Sequence, residues 1–152
     1  MSYQFKHSVE ASVGRQAAWE FWTTVKNWEL DPAVESIKLD GEFAAGSKGV
    51  TQTKGGVEPL AWKIKSVTPG ESAVIEMPLA GAVVSFTWSF ESVDGNKSKL
   101  TQVITLVGEK ADDYLPMVGQ GFEDGVRQGM ARLATEIEIG AGDNYSGIRS
   151  QK

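Results

Sequence analysis

The longest periodic pattern in the chain lies between residues 111 and 139, where apolar side chains recur at steps of three and four. They are Leu115, Val118, Phe122, Val126, Met130, Leu133 and Ile137. Because an α-helix has 3.6 residues per turn, this spacing puts them on one face. Glu123 and Arg127 fall on the opposite, exposed face, where their spacing of four predicts a weak surface pair. The pattern predicts a helix over residues 113–138, about 39 Å long at 1.5 Å per residue. We expect Gly140 to end it.

A row of three glycines, Gly121, Gly125 and Gly129, runs beside this apolar face. Each glycine costs about 1 kcal/mol relative to alanine inside a helix. We favour close packing against another backbone, because glycine inside an element most often marks such an approach. The alternatives are that the missing side chains leave space for a ligand, or that the helix bends at residues 119–121.

The first residues of the chain alternate between the two faces of a strand. Tyr3, Phe5, His7 and Val9 fall on one face, and polar residues fall between them, which predicts a half-buried strand over residues 3–11. His7 is the polar exception on the apolar face. We expect a core histidine with one satisfied hydrogen bond, and a ligand-facing side chain is the alternative.

A tryptophan-rich helix follows the first strand. Ser12 is the expected N-cap of a helix that runs to about residue 25. Trp19, Trp22 and Trp28 fall within ten residues, and such a group usually closes one end of a core. A short helical turn is predicted over residues 28–33.

Short strands separated by glycine turns fill the middle of the chain. Their predicted bounds are 34–39, 49–54, 61–67, 72–79, 82–92 and 99–107. Turns this short leave no room for crossover helices, so the strands form an antiparallel meander. The predicted fold is α+β: a curved seven-stranded antiparallel sheet wrapped around the long C-terminal helix, with two short helices between strands 1 and 2.

Composition narrows the class of protein. At 152 residues we expect one domain over residues 1–139 and a flexible tail over 140–152. The net charge of −5 argues against a nucleic-acid surface, and zero cysteines with one histidine argue against a metal site. No apolar run reaches the roughly 18 residues of a membrane helix. We therefore expect a cytoplasmic protein without an integral membrane segment.

Four segments, taken in order, carry a family resemblance: residues 5–12 followed by Trp19, residues 27–32, residues 39–49 and residues 99–102. The chain resembles the START-like, or SRPBCC, superfamily, which includes Bet v 1-like allergens and the polyketide cyclase/dehydratase and lipid-transport group. This resemblance implies a helix-grip fold with an apolar cavity between the sheet and the C-terminal helix. It implies no catalytic residue, because the superfamily has no universal catalytic motif.

We therefore predict that the protein binds a small hydrophobic molecule of lipid, polyketide or aromatic type, without a cofactor, in one continuous cavity. The predicted lining consists of Trp62, Met77, Phe86, Trp88, Gln102, Leu115, Phe122, Val126 and Met130. For each apolar member, simple core packing explains the position equally well. Gln102 alternates in step with Leu100 and Ile104, so we expect its amide to face inward.

Two other functions remain open from the sequence. The first is a polyketide cyclase/dehydratase-like enzyme that uses the same cavity, with His7 as the candidate acid or base. Hydroxyls for such a site could come from Ser85, Thr87, Thr101, Thr105 or Tyr114. The second is a protein-interaction or co-chaperone-like domain, which would need an exposed apolar patch such as residues 78–83.

Overall fold

A computed structural model describes residues 3–31, 34–56, 58–94 and 96–146, the last six by their backbone alone. In this part of the chain the strands are β1 Tyr3–Ala11, β2 Val34–Asp40, β3 Lys48–Thr53, β4 Leu60–Thr68, β5 Ser72–Leu79, β6 Ala82–Ser92 and β7 Ser98–Val107. The helices are α1 Arg15–Thr23, α2 Ala111–Tyr114 and α3 Gln120–Ser146, with 3-10 helices at Val25–Leu30 and Leu115–Met117.

The strands form one antiparallel sheet in the order β1-β7-β6-β5-β4-β3-β2. Strands β2 to β7 each lie beside their neighbour in sequence, as short turns require, and β1 closes onto β7. The predicted α+β helix-grip architecture is confirmed, and the predicted strand bounds differ from the observed ones by one residue at most.

Strand register determines which side chains share the inner face, the face toward α3. Phe5, Ile104, Phe86, Ile75 and Ile64 lie directly opposite one another across five strands. Ile64, Ile75 and Ile104 are buried, so this row is part of the core. Because side chains alternate along a strand, the other inner positions follow from this row at steps of two.

Aromatic rings close one end of the inner face. All five tryptophans of the chain join one network of ring contacts with Phe43 and Phe90, and Trp22 lies at its centre. The rings of Trp22 and Trp88 are 5.2 Å apart, and those of Trp28 and Trp62 are 5.3 Å apart. The expected aromatic end of the core is present, and it extends from α1 across to β4.

A second, smaller cluster fills the other end of the inner face. Its buried members are Ala82, Val84, Ile104, Leu106 and Ala111, and the partly buried Leu115, Phe122 and Val126 pack against them. Met77 and Phe86 touch both clusters. The core therefore has two packed ends, with the middle of β5 and β6 between them.

The start of α1 corrects the sequence prediction. The N-cap is Gly14, with an extended backbone and no side-chain cap, rather than Ser12. Ser12 instead donates its backbone N–H to Glu138 Oε2 of α3 at 2.7 Å. The residue expected to start α1 thus connects the end of β1 to α3.

The long helix also begins later than predicted. Val118 is extended, at φ −116° and ψ 153°, and Gly119 has φ +154°, a conformation that side chains rarely adopt. The polypeptide therefore breaks between the 3-10 helix at Leu115–Met117 and α3. A single helix over residues 113–138 was wrong, and the break falls beside the glycines considered for a bend.

Gly140 does not end α3, which continues to Ser146. A Cβ at position 140 would stand 2.5 Å from Phe21 Cε2, so α1 packs directly against the helix backbone here. The flexibility expected for residues 140–152 stays a prediction, and residues 147–152 lie outside the described part of the chain.

The glycine row was expected to be the close contact, and that interpretation was wrong. At Gly121 and Gly125 an added Cβ would meet no described atom within 4 Å, and at Gly129 only Asp31 Oδ2 at 3.4 Å. The row lies along open space on the flank of α3 instead.

Candidate ligand-binding site

A row of polar side chains crosses the middle of the inner face. His7 of β1, Gln102 of β7 and Trp88 of β6 lie directly opposite one another in the sheet register. Opposite residues in an antiparallel pair have Cβ atoms about 4.5–5.5 Å apart. Three strands therefore bring an imidazole, an amide and an indole together, and we call these residues the polar row.

Gln102 is the most informative member of this row. Its side chain is buried, with only 8% exposed, and within the described part of the chain it has no hydrogen-bond partner. Among the described residues, Ser98 Oγ is the one polar side-chain atom that is both unpartnered and fully sealed from solvent. The amide of Gln102 is thus unpartnered but still reaches open space. Its predicted inward orientation is confirmed.

His7 is half-buried and stacks on Phe5, with ring centroids 6.5 Å apart and planes 6° from parallel. Neither ring nitrogen has a hydrogen-bond partner among the described residues. The expected core histidine with one satisfied hydrogen bond was therefore wrong. Both ring nitrogens are therefore unpaired within that part of the chain.

The predicted lining residues divide by burial. Met77, Phe86 and Trp88 lie on central strands of the inner face and are only half-buried. Trp62 is 6% exposed, and its indole N–H donates to Thr51 Oγ1 at 2.9 Å. Trp62 is thus part of the packed aromatic end.

On the helix side, Phe122 and Val126 of α3 are half-buried and pack against the second cluster. Met130 is almost fully buried, at 2% exposed. Leu115 lies before the chain break, in the 3-10 helix Leu115–Met117, and packs at the same end. Leu115, Phe122 and Val126 therefore pack at the second cluster, while Met130 is buried without belonging to it.

The hydroxyl candidates lie elsewhere. Thr101 is hydrogen-bonded to Ser8 on the outer face of the sheet, with their oxygens 2.8 Å apart. Ser85, Thr87 and Thr105 share that face by register. Tyr114 donates its hydroxyl to the Ala80 carbonyl at 2.8 Å. None of these groups reaches the polar row.

A contact that the sequence did not predict ties β1 to α3. Tyr3 donates its hydroxyl to Glu123 Oε2 at 2.6 Å. Burial is the main cause that raises the pKa of Tyr3 above its usual value. The hydrogen bond to Glu123 and the negative charge of Glu123 raise it further. The alternation of β1 predicts that Tyr3 points inward. The helical periodicity, however, put Glu123 on the exposed face of the helix, so this contact was not predicted.

The expected surface pair of Glu123 with Arg127 was wrong. Arg127 pairs with Asp124 at 2.8 Å, and its guanidinium lies 5.0 Å from the ring centroid of Phe5. Glu123 is held by Tyr3 instead. Both charged side chains therefore bridge α3 to the β1 edge of the sheet.

Within the described ranges, no group of three or more histidine, cysteine, aspartate or glutamate side chains could hold a metal ion. In the same ranges, no helix combines the length and the apolar character that crossing a membrane demands.

Known structures share this architecture. Norcoclaurine synthase from Thalictrum flavum, in complex with dopamine and hydroxybenzaldehyde, matches with TM-score 0.66 and 12% identity over 90% of this chain and 88% of that one. Ara h 8.0201 matches with TM-score 0.68 and 17% identity over 91% and 96% of the two chains. A protein from Arthrobacter aurescens matches with TM-score 0.71 and 15% identity over 90% and 86%.

At identities of 12 to 17%, these structural matches show the fold alone, which is the Bet v 1-like helix-grip fold. No curated protein sequence shows significant similarity to this chain. Residues 2–138 match the sequence pattern of a family described as polyketide cyclase/dehydrase and lipid transport. That match spans most of the chain, which therefore belongs to the polyketide cyclase/dehydrase and lipid transport family.

Proposed function

We propose that the protein binds a small hydrophobic molecule, of aromatic, polyketide or lipid type, between the concave sheet face and α3. One observation carries the proposal: Gln102 is nine-tenths buried on the inner face and has no partner in the described part of the chain. Because the amide still reaches open space, a molecule in that space can hydrogen-bond it. Such a bond contributes about 0.5–1.5 kcal/mol.

The surroundings of Gln102 fit such a molecule. Ligand sites are mostly apolar with a few polar groups that fix orientation. Phe86 and Met77 supply half-buried apolar surface beside the polar row, and Trp88 supplies a flat ring. Phe122 and Val126 of α3 pack against the same cluster as Met77 and Phe86.

The family description and one structural relative are consistent with this proposal. The family is named for polyketide and lipid chemistry, and the norcoclaurine synthase structure holds two small aromatic molecules. At 12% identity that relative shares only the fold, so the proposal for this chain depends on its own inner face.

Titration with N-phenyl-1-naphthylamine, an uncharged probe that fluoresces in apolar surroundings, tests the proposal. We expect saturable binding with one probe per chain. Val126→Trp would place a large side chain in the cavity and should weaken binding at least tenfold. Gln128→Trp, on the exposed face of the same helix, is the matched control and should bind as the wild type does.

Thermal melts of both variants show whether they are folded, and Val126→Phe replaces Val126→Trp if the latter unfolds. No saturable binding to the wild-type protein, or equal loss in the two matched variants, would contradict a cavity at this place.

A second candidate function is enzymatic, and the free ring nitrogens of His7 favour it. An imidazole near neutral pH can take a proton from a carbon next to a bound carbonyl, while Gln102 donates a hydrogen bond to the carbonyl oxygen. Proton NMR of 2-acetylnaphthalene in D₂O would show protein-dependent exchange of the methyl protons. His7→Gln should abolish that exchange, and a rate equal to that of buffer alone would exclude this activity.

A further inference from the structure

We infer, on the basis of the proposed function, that the cavity selects an uncharged molecule with a hydrogen-bond acceptor such as a ketone or aldehyde, and rejects carboxylates of the same size. Two features of the inner face support this selectivity. The lysines of the strands point away from it, and the polar row has more hydrogen-bond donors than acceptors.

Every lysine within the described strands lies on the outer face of the sheet. These residues are Lys6, Lys38, Lys48, Lys63, Lys65 and Lys99, and all are exposed. Their neighbours along each strand, such as Phe5, Ile64 and Leu100, occupy the inner face. Lys63 and Lys65 flank Glu76 on the outside, at 4.0 and 3.5 Å. No strand therefore offers an ammonium group to the cavity.

The arginines of α3 are occupied outside the polar row. Arg127 binds Asp124 and covers the ring of Phe5. Arg132 donates Nε–H to the Leu30 carbonyl at 3.1 Å and lies 3.6 Å from Glu136. A carboxylate beside Gln102 would thus lose water without gaining a lysine or arginine partner, which is more costly than burying a neutral polar group.

The polar row offers more donors than acceptors. The amide of Gln102 carries two N–H groups, the indole of Trp88 carries one, and a neutral His7 carries one. Against these stand one amide oxygen and one imidazole nitrogen. The indole N–H of Trp88, like the amide, has no partner among the described residues. A carbonyl oxygen with two lone pairs is the group that best complements this row.

Three naphthalenes of nearly equal size separate the possibilities: 2-acetylnaphthalene is a neutral ketone, 2-naphthoate is an anion and 2-ethylnaphthalene lacks a polar group. Isothermal titration calorimetry at pH 8 measures each with the full chain. We expect the ketone to bind about three- to tenfold more tightly than the ethyl compound, as one hydrogen bond provides. The anion should bind at least tenfold more weakly than the ketone.

Variants at position 102 assign the selectivity to the polar row. Gln102→Leu should remove the preference for the ketone over the ethyl compound. Gln102→Lys should invert the preference between ketone and anion. Val103→Leu, the next residue along β7 and on the outer face, is the control and should keep the wild-type order.

The results distinguish this inference from the proposed function. If none of the naphthalenes binds, the proposed function itself fails. If 2-naphthoate or 2-ethylnaphthalene binds as tightly as the ketone, the cavity exists but the inference is wrong. If Arg127→Gln abolishes tight binding of the anion, the arginine serves the cavity and the inference is again wrong. Where the Gln102 variants do not fold, the order of the three ligands on the wild-type protein decides.

Discussion

Phe21 of α1 lies against the backbone of α3 at Gly140, so close that no larger residue fits without a shift. The glycine required for close packing is therefore at position 140, in the second half of the helix. Gly121 and Gly125, in the first half, border open space. Glycine therefore permits close packing at position 140, whereas at positions 121 and 125 it leaves open space beside the helix.

Gly125→Ala should stabilise the protein, and Gly140→Ala should destabilise it. Alanine gains about 1 kcal/mol over glycine in a helix interior, and position 125 has room for the methyl group. At position 140 the clash with Phe21 costs about 1–3 kcal/mol of overpacking, which offsets or exceeds that gain. Urea unfolding of the two variants measures both effects.

Gly121→Ala should behave as Gly125→Ala does, because both sites are open. Phe21→Leu should relieve the clash, so Gly140→Ala should cost less stability in that background. Destabilisation at both 121 and 125 would contradict the open flank of α3.

Tyr3→Phe should lower the free energy of unfolding by about 1 kcal/mol near neutral pH, because it removes a partly exposed hydrogen bond to a carboxylate. It should also change the response to alkali. The pKa of Tyr3 is raised in the folded protein, so the folded state holds this proton more tightly than the unfolded chain does. The resulting stability is present below the usual tyrosine pKa of about 10 and is lost as pH rises above it.

Urea unfolding at pH 8 and pH 11 measures that response. The difference in stability between the wild-type protein and Tyr3→Phe should shrink at the higher pH. Tyr114→Phe is the control, since its hydroxyl is bonded to a neutral carbonyl. A difference that stays constant with pH would show that Tyr3 titrates normally.

Trp22→Ala should be among the most destabilising substitutions in the chain, by about 3–5 kcal/mol. Trp22 is 2% exposed, and its ring contacts those of Trp28, Phe43, Trp88 and Phe90 among others. Unfolding in urea, followed by near-UV circular dichroism, measures the loss.

Trp88→Ala should cost less stability than Trp22→Ala and should weaken binding of N-phenyl-1-naphthylamine. Trp88 is only half-buried and contacts two rings, those of Trp22 and Phe90. A probe titration of folded Trp88→Ala checks the second effect. Unchanged affinity would remove Trp88 from the binding surface.

Glu29→Gln should reduce the sensitivity of the protein to acid. The hydrogen bond from the Ile37 backbone N–H is the main cause that lowers the pKa of Glu29, and the hydrogen bond from Lys26 lowers it further. Its contribution to stability is therefore present above the usual glutamate pKa of about 4.3 and is lost as pH falls below it. Glutamine can still accept the Ile37 hydrogen bond, but it carries no charge that titrates. The urea midpoints of the two proteins should therefore differ at pH 7 and converge at pH 3.

The sheet could be predicted closely from the sequence, because alternation and glycine turns are local and specify strand bounds directly. The inward position of Gln102 followed from the same alternation. Helix ends were predicted less well. Ser12 and Gly140 have the residue types of helix ends, but tertiary contacts with Glu138 and Phe21 decide what they do.

Pairings across the fold could not be read from the chain. Helical periodicity placed Glu123 four residues before Arg127, and nothing local shows that Tyr3 takes the glutamate instead. The polar row also forms between residues that are far apart in the sequence. His7 and Gln102 are 95 positions apart, and only the pairing of β1 with β7 makes them neighbours.

The polar row has a consequence for how this protein can change over evolutionary time. Neither the His7 nor the Gln102 side chain has a hydrogen-bond partner in the described part of the chain, so the pairing of β1 with β7 does not depend on their polar atoms. Under the proposed function, substitutions at these two positions would change which molecules bind, while the two packed clusters maintain the fold. Under that proposal, single mutations would change the binding preference of the protein and leave its fold unchanged.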